Sequence, residues 1–117
     1  MIKHVVVMKF KPGVGEAEIS QLEQGLDQLP GTIPEILSYD FGRDIVRSER
    51  SFDFALVSSF KDLEALKRYQ VHPEHVKVLE LVGLCVIRSS PSILRSETDL
   101  LGRGRGGGAT ASLRLLH

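Results

Sequence analysis

The chain has 117 residues with 15 basic and 15 acidic side chains, so its zero net charge gives no reason to expect a polyanionic partner. Its one cysteine, Cys85, excludes an internal disulfide framework and a cysteine-built zinc site. Hydrophobic residues make up 42%, enough for one domain with a core, yet a chain this short buries apolar surface more easily with a second copy.

Ile2 to Lys11 predicts the first strand, rich in β-branched residues and closed by Pro12-Gly13. Alternation puts Ile2, His4, Val6, Met8 and Phe10 on one face, the more apolar one. Glu16 to Leu29 predicts an amphipathic helix with Ile19, Leu22, Leu26 and Leu29 as its stripe. Gly25 lies inside that helix as a point of close approach, and Pro30-Gly31 ends it.

A second strand is expected over Ile36 to Arg43, a polar loop over Asp44 to Ser51, and a third strand over Phe52 to Phe60. Phe54, Leu56 and Ser58 share one face of that strand. Asp62 is the expected N-cap of a helix starting at Leu63, with Leu66 and Tyr69 on its apolar side. His72-Pro73 interrupts this helix, and Pro73 suits the first position of a resumed one carrying His75, Val76, Leu79 and Val82. Gly83 is read as the helix end and Leu84 to Ser89 as a short fourth strand.

The ordered domain is placed at residues 1–90, with 91–117 as a low-complexity tail that includes Arg103-Gly-Arg-Gly-Gly-Gly108. No apolar run reaches the roughly 18–20 residues needed to span a bilayer. The start lacks the features of a secretory signal, so the chain reads as soluble and cytoplasmic, without a membrane or a specific nucleic acid as partner. The tail holds too few arginines, and no interleaved aromatics, for a nucleic-acid site.

The order β-α-β-β-α-β defines a ferredoxin-like α+β protomer: an antiparallel sheet with two helices on one face. Val5, Val7, Ala55 and Val57 on the other face are apolar. A homodimer packed sheet to sheet, a dimeric α/β barrel, would cover them.

Tyr69-Gln-Val-His72-Pro73-Glu-His75 concentrates the unusual chemistry. Neutral imidazole can take a proton from a carbon between carbonyls, and a phenol can donate to the oxyanion that forms. His75 as base and Tyr69 as donor are the candidate catalytic pair. His4, Val6, Met8, Leu26, Phe54, Leu56, His72 and Leu79 are the candidate pocket. The plainer reading makes His72 a helix cap and His4, Tyr69 and His75 packed side chains. A metal site of His4, His72 and His75 is a weaker alternative, since no carboxylate is fixed beside them.

The opening Ile2-Lys-His4-Val-Val-Val-Met-Lys-Phe10-Lys, the central Pro30-Gly-Thr-Ile-Pro-Glu-Ile-Leu-Ser and the late Tyr69-Gln-Val-His72-Pro73-Glu-His75-Val76 together resemble the stress-responsive α/β-barrel domain family. The resemblance covers residues 1–82 and implies a dimer of ferredoxin-like protomers, a stress-associated small-molecule binding role and no cofactor. It also implies, through a branch that closes linear polyketides by aldol condensation, that Tyr69 and His75 are the reactive pair and His4 a pocket residue. Phe54 stands where that branch carries a further pocket histidine. Beyond Val82 the chain departs from the family's pattern. Three functions follow as expectations: a small-molecule binding protein, a cofactor-free cyclase-like enzyme, or a structural dimer module.

Overall fold

The computed structural model describes residues 1–49 and 51–95. Four antiparallel strands form one sheet in the order β2-β3-β1-β4: β1 (Ile2–Phe10), β2 (Ser38–Arg43), β3 (Phe54–Phe60) and β4 (Val86–Arg95). The helices are α1 (Glu16–Thr32), α2 (Leu63–Val71) and α3 (Pro73–Cys85). The chain is therefore the expected ferredoxin-like α+β protomer, with its second helix in two pieces.

β1 alternates buried and half-buried residues, because Ile2, His4, Val6 and Met8 face the helices while Lys3, Val5, Val7 and Lys9 face away. Its register against β3 sets Val6 opposite Leu56 and Met8 opposite Phe54, so these side chains form one apolar layer. Leu22, Leu26 and Leu29 of α1 and Leu66, Tyr69 and Val78 of α2 and α3 close over it. On the far face Val5 sits opposite Val57 and Val7 opposite Ala55, and no helix among the described residues covers them. No helix among the described residues is long and apolar enough to cross a membrane.

Several boundaries differ from the sequence expectation. α1 continues through Pro30 to Thr32, so Pro30 removes one N–H from the helical ladder near its end without terminating the helix there. Fully buried Ile33 then donates its N–H to the Leu29 carbonyl. β2 and β3 start two residues late, at Ser38 and Phe54. Gly83 does not end α3. The helix runs to Cys85, and Lys11 seats that end with Nζ on the Gly83 carbonyl and N–H on the Cys85 carbonyl.

The larger correction concerns β4. It runs to Arg95, past Pro91 where regular structure was expected to stop, and it pairs with β1 from Phe10–Val86 to Ile2–Arg95. Nine of its ten residues are exposed, so neither face carries the apolar alternation that marks a strand. Pro91 fits because β4 is an edge of the sheet, where a missing donor costs little. The low-complexity segment 103–108 and the terminal leucines lie outside the described residues.

Candidate active site

The break at His72-Pro73 positions the site. Asp62 caps α2 through its carboxylate, which accepts the Ala65 N–H at 2.9 Å. Pro73 occupies the first position of α3, and His72 caps that helix, its Nδ1 accepting the Glu74 N–H at 3.1 Å. An imidazole nitrogen that accepts is unprotonated, so the proton of neutral His72 sits on Nε2. Capping holds His72 at the helix junction, and it does not line the cavity described below.

His75 lies in the first turn of α3. Its Nδ1 is 3.0 Å from the carbonyl oxygen of Gln70 in α2. A carbonyl only accepts, so Nδ1 carries the proton and Nε2 keeps its lone pair. Burial pulls the His75 imidazole below its ordinary pKa, the Gln70 bond raises it in part, and His72 lowers it again. His4 on β1 is likewise lowered, first by burial and then by the charge of His75. Both rings are therefore neutral at neutral pH. The Nδ1 of His4 is buried without a hydrogen-bond partner, and the residue is only 8% exposed.

Tyr69 is 1% exposed. Its ring lies 4.3 Å from that of His75 and 4.9 Å from that of Phe60. Its hydroxyl meets the hydroxyl of Tyr39 on β2 at 2.9 Å. Burial raises the Tyr69 phenol above its ordinary pKa, and the bond with Tyr39 lowers it in part.

Between the sheet and the helices lies a cavity of about 320 Å³. His4, Val6 and Met8 of β1, Leu56 of β3 and Leu26 of α1 form its floor and inner wall. Tyr69, Gln70, His75, Val78, Leu79 and Val82 form its helical side, and Ser89 and Pro91 of β4 its edge. The volume suits a small organic molecule. Of the residues singled out from sequence, His4, Val6, Met8, Leu26, Leu56, Tyr69, His75 and Leu79 line this one space. Phe54 does not: it is 1% exposed and stacks on Phe41 with ring centroids 5.8 Å apart. Gln70, Val78, Val82, Ser89 and Pro91 also line the cavity without having been singled out for the pocket; Pro91 lies beyond the strand expected over Leu84 to Ser89. Among the described residues no three His, Cys, Asp or Glu side chains are placed to hold a metal ion.

A four-stranded antiparallel sheet with helices on one face, in the order β-α-β-β-α-β, is a ferredoxin-like fold. The family model for the stress responsive A/B barrel domain matches residues 2–88, and the chain belongs to that family. The match extends beyond Val82, into β4.

Among curated relatives, the chain is 35% identical over 77 residues to the Streptomyces coelicolor protein SCO4036, covering 64% of this chain and 79% of that protein. It is 31% identical over 78 residues to the stress-response A/B barrel domain-containing protein HS1 of Arabidopsis thaliana, covering 65% and 72%. It is 27% identical over 77 residues to olivetolic acid cyclase of Cannabis sativa, covering 64% and 76%. A solved dimeric ferredoxin-like protein from Thermobifida fusca superposes with a TM-score of 0.75 at 25% identity, covering 81% of this chain and 90% of that one.

Proposed function

We propose that this protein binds a small, mostly apolar carbonyl compound in the cavity, and that His75 and Tyr69 carry out cofactor-free acid-base chemistry on it. The observation that carries this reading is the fixed tautomer of His75. Its Nδ1–H is directed to the Gln70 carbonyl, and a neutral ring with a free Nε2 is the form a general base requires. The cavity's apolar walls favour a hydrophobic ligand. The unpartnered Nδ1 of His4 gives such a ligand a polar group to meet.

The chemistry follows from those groups. Nε2 of His75 takes a proton from a carbon flanked by carbonyls, and the electron pair moves onto the carbonyl oxygen. Tyr69 donates a hydrogen bond to that oxygen as it becomes negative. Attack of the enolate carbon on a second carbonyl of the same molecule then closes a ring, the alkoxide so formed takes back the proton held by His75, and loss of water completes an aldol condensation. A relative named olivetolic acid cyclase is consistent with this class.

The reading includes a homodimer. The uncovered face with Val5, Val7, Ala55 and Val57 is suited to meet the same face of a second copy, and the Thermobifida fusca neighbour is described as dimeric. Benzoylacetone, an aryl 1,3-diketone, serves as the probe for binding. Isothermal titration should give saturable binding to the wild-type chain and none to Leu79→Trp, whose indole fills the cavity. Equal binding to both, or none to either, contradicts the proposal.

A further inference from the structure

Tyr39 does not line the cavity, yet it is the partner of the one phenol that does. It projects from β2 on the covered side of the sheet and is half-buried. Its ring meets that of Tyr69 edge to face, centroids 6.2 Å apart at 65°, and the two hydroxyl oxygens are 2.9 Å apart.

Each hydroxyl has one proton and two acceptor positions, so the pair has two arrangements. In one, Tyr69 donates to Tyr39 and has no proton left for anything else. In the other, Tyr39 donates to Tyr69, and the Tyr69 proton is free. Only the second lets Tyr69 donate to a ligand.

We propose that Tyr39 is a positioning residue: its hydroxyl donates to Tyr69 Oη and thereby releases the Tyr69 proton to a negatively charged ligand oxygen in the cavity. The inference rests on Tyr69 being the donor proposed above. It adds a preference: the cavity selects ligands with an anionic oxygen, such as an enolate or phenolate, over neutral ligands of the same shape. No proton leaves either tyrosine. The relay only reorients two O–H bonds, and each strengthens the other by polarisation in a dry setting. Burial is the first cause raising the Tyr39 phenol, and both its bond with Tyr69 and the charge of Tyr69 raise it further. Tyr39 therefore keeps its proton and remains a donor. The two hydroxyls are held by a strand and a helix rather than a loop, so the arrangement is preset by the fold.

The chain has two tyrosines and no tryptophan, which makes the relay directly readable. The probes are 4-nitrophenol, ionised at a pH above its own pKa, and nitrobenzene, its neutral counterpart. Wild type should bind both and prefer the phenolate. Tyr39→Phe should weaken phenolate binding about fivefold, the loss of one hydrogen bond in the chain, and leave nitrobenzene unchanged. Tyr69→Phe should abolish the preference. An equal loss for both probes in Tyr39→Phe means a purely structural role, and no loss for either means no role; both overturn the inference. Wild-type protein labelled at tyrosine 13Cζ supplies a test without substitution. Phenolate should shift both tyrosine signals, and a shift confined to Tyr69 overturns the relay. Failure of wild type to bind either probe overturns the pocket reading and the relay with it. Binding of both that ignores Tyr39 defeats the relay alone.

Discussion

The Nδ1 of His75 lies 3.0 Å from the carbonyl oxygen of Gln70, and that contact decides which imidazole nitrogen is basic. Gln70 sits near the end of α2 and His75 near the start of α3. The carbonyl is available because the helix breaks at His72-Pro73: its helical donor would be the Glu74 N–H, which caps on His72 Nδ1 instead, while the Tyr69 carbonyl, which Pro73 cannot serve, takes the His72 N–H. The capped break between the two helices thus orients the base. Nitrogen NMR of the neutral protein should show His75 protonated at Nδ1 and bare at Nε2. Pro73→Ala, which permits one continuous helix, should scramble that tautomer.

Stability should fall on mild acidification. His4 and His75 both have folded-state pKa values lowered by burial. On unfolding they return to about 6.5, so below that pH the unfolded chain binds protons that the folded chain does not. Stability is therefore fully present above about pH 6.5 and declines as pH falls toward the lowered folded values. His72, which touches this system electrostatically, caps α3 through an unprotonated Nδ1. Urea unfolding at pH 7.5 and 5.5 should differ for wild type and differ much less for His4→Gln/His75→Gln. A flat wild-type profile would contradict the neutral assignment.

Asp62 holds the start of the helix that carries Tyr69. Asp62→Ala removes the bond to the Ala65 N–H and should cost about 1 kcal/mol in denaturant unfolding. Asp62→Asn should restore most of it.

Gly25 is the point where α1 meets α3. A methyl group there would sit 3.2 Å from Leu81 Cδ1 and 3.4 Å from Val78 Cγ2. Val78 also lines the cavity. Gly25→Val should push α3 outward and cost on the order of 1–3 kcal/mol, and it should weaken benzoylacetone binding as well. Unchanged affinity would separate helix packing from cavity shape.

On the open face of the sheet, Val5 and Val57 are cross-strand partners. Light scattering should give twice the 13.0 kDa chain mass for wild type. Val5→Asp/Val57→Asp should give the single mass, because facing carboxylates repel and exclude the apolar contact. A wild-type monomer would contradict the dimer.

The parts legible in the sequence were those where one face is buried. β1 and α1 show their periods because Ile2, Val6, Met8, Leu22 and Leu26 all turn inward. The caps were legible too, since Asp62 and the pair His72-Pro73 act through local chemistry. β4 was read short because its pairing is backbone to backbone and its side chains are exposed. That is why Pro91 was not expected at the cavity. Phe54 was expected there by position on its strand, but its ring stacks with Phe41 instead. Tyr39 carried no local signal: its meaning comes from a hydroxyl on a helix 30 residues away in sequence.

The most direct measurement of the central claim is the rate of hydrogen-deuterium exchange at the central carbon of benzoylacetone, followed by NMR at neutral pH. Wild type should accelerate the exchange catalytically. His75→Gln, folded and still binding the diketone, should lose at least about 100-fold, the usual contribution of a positioned general base. Equal rates with wild type and His75→Gln would contradict the account.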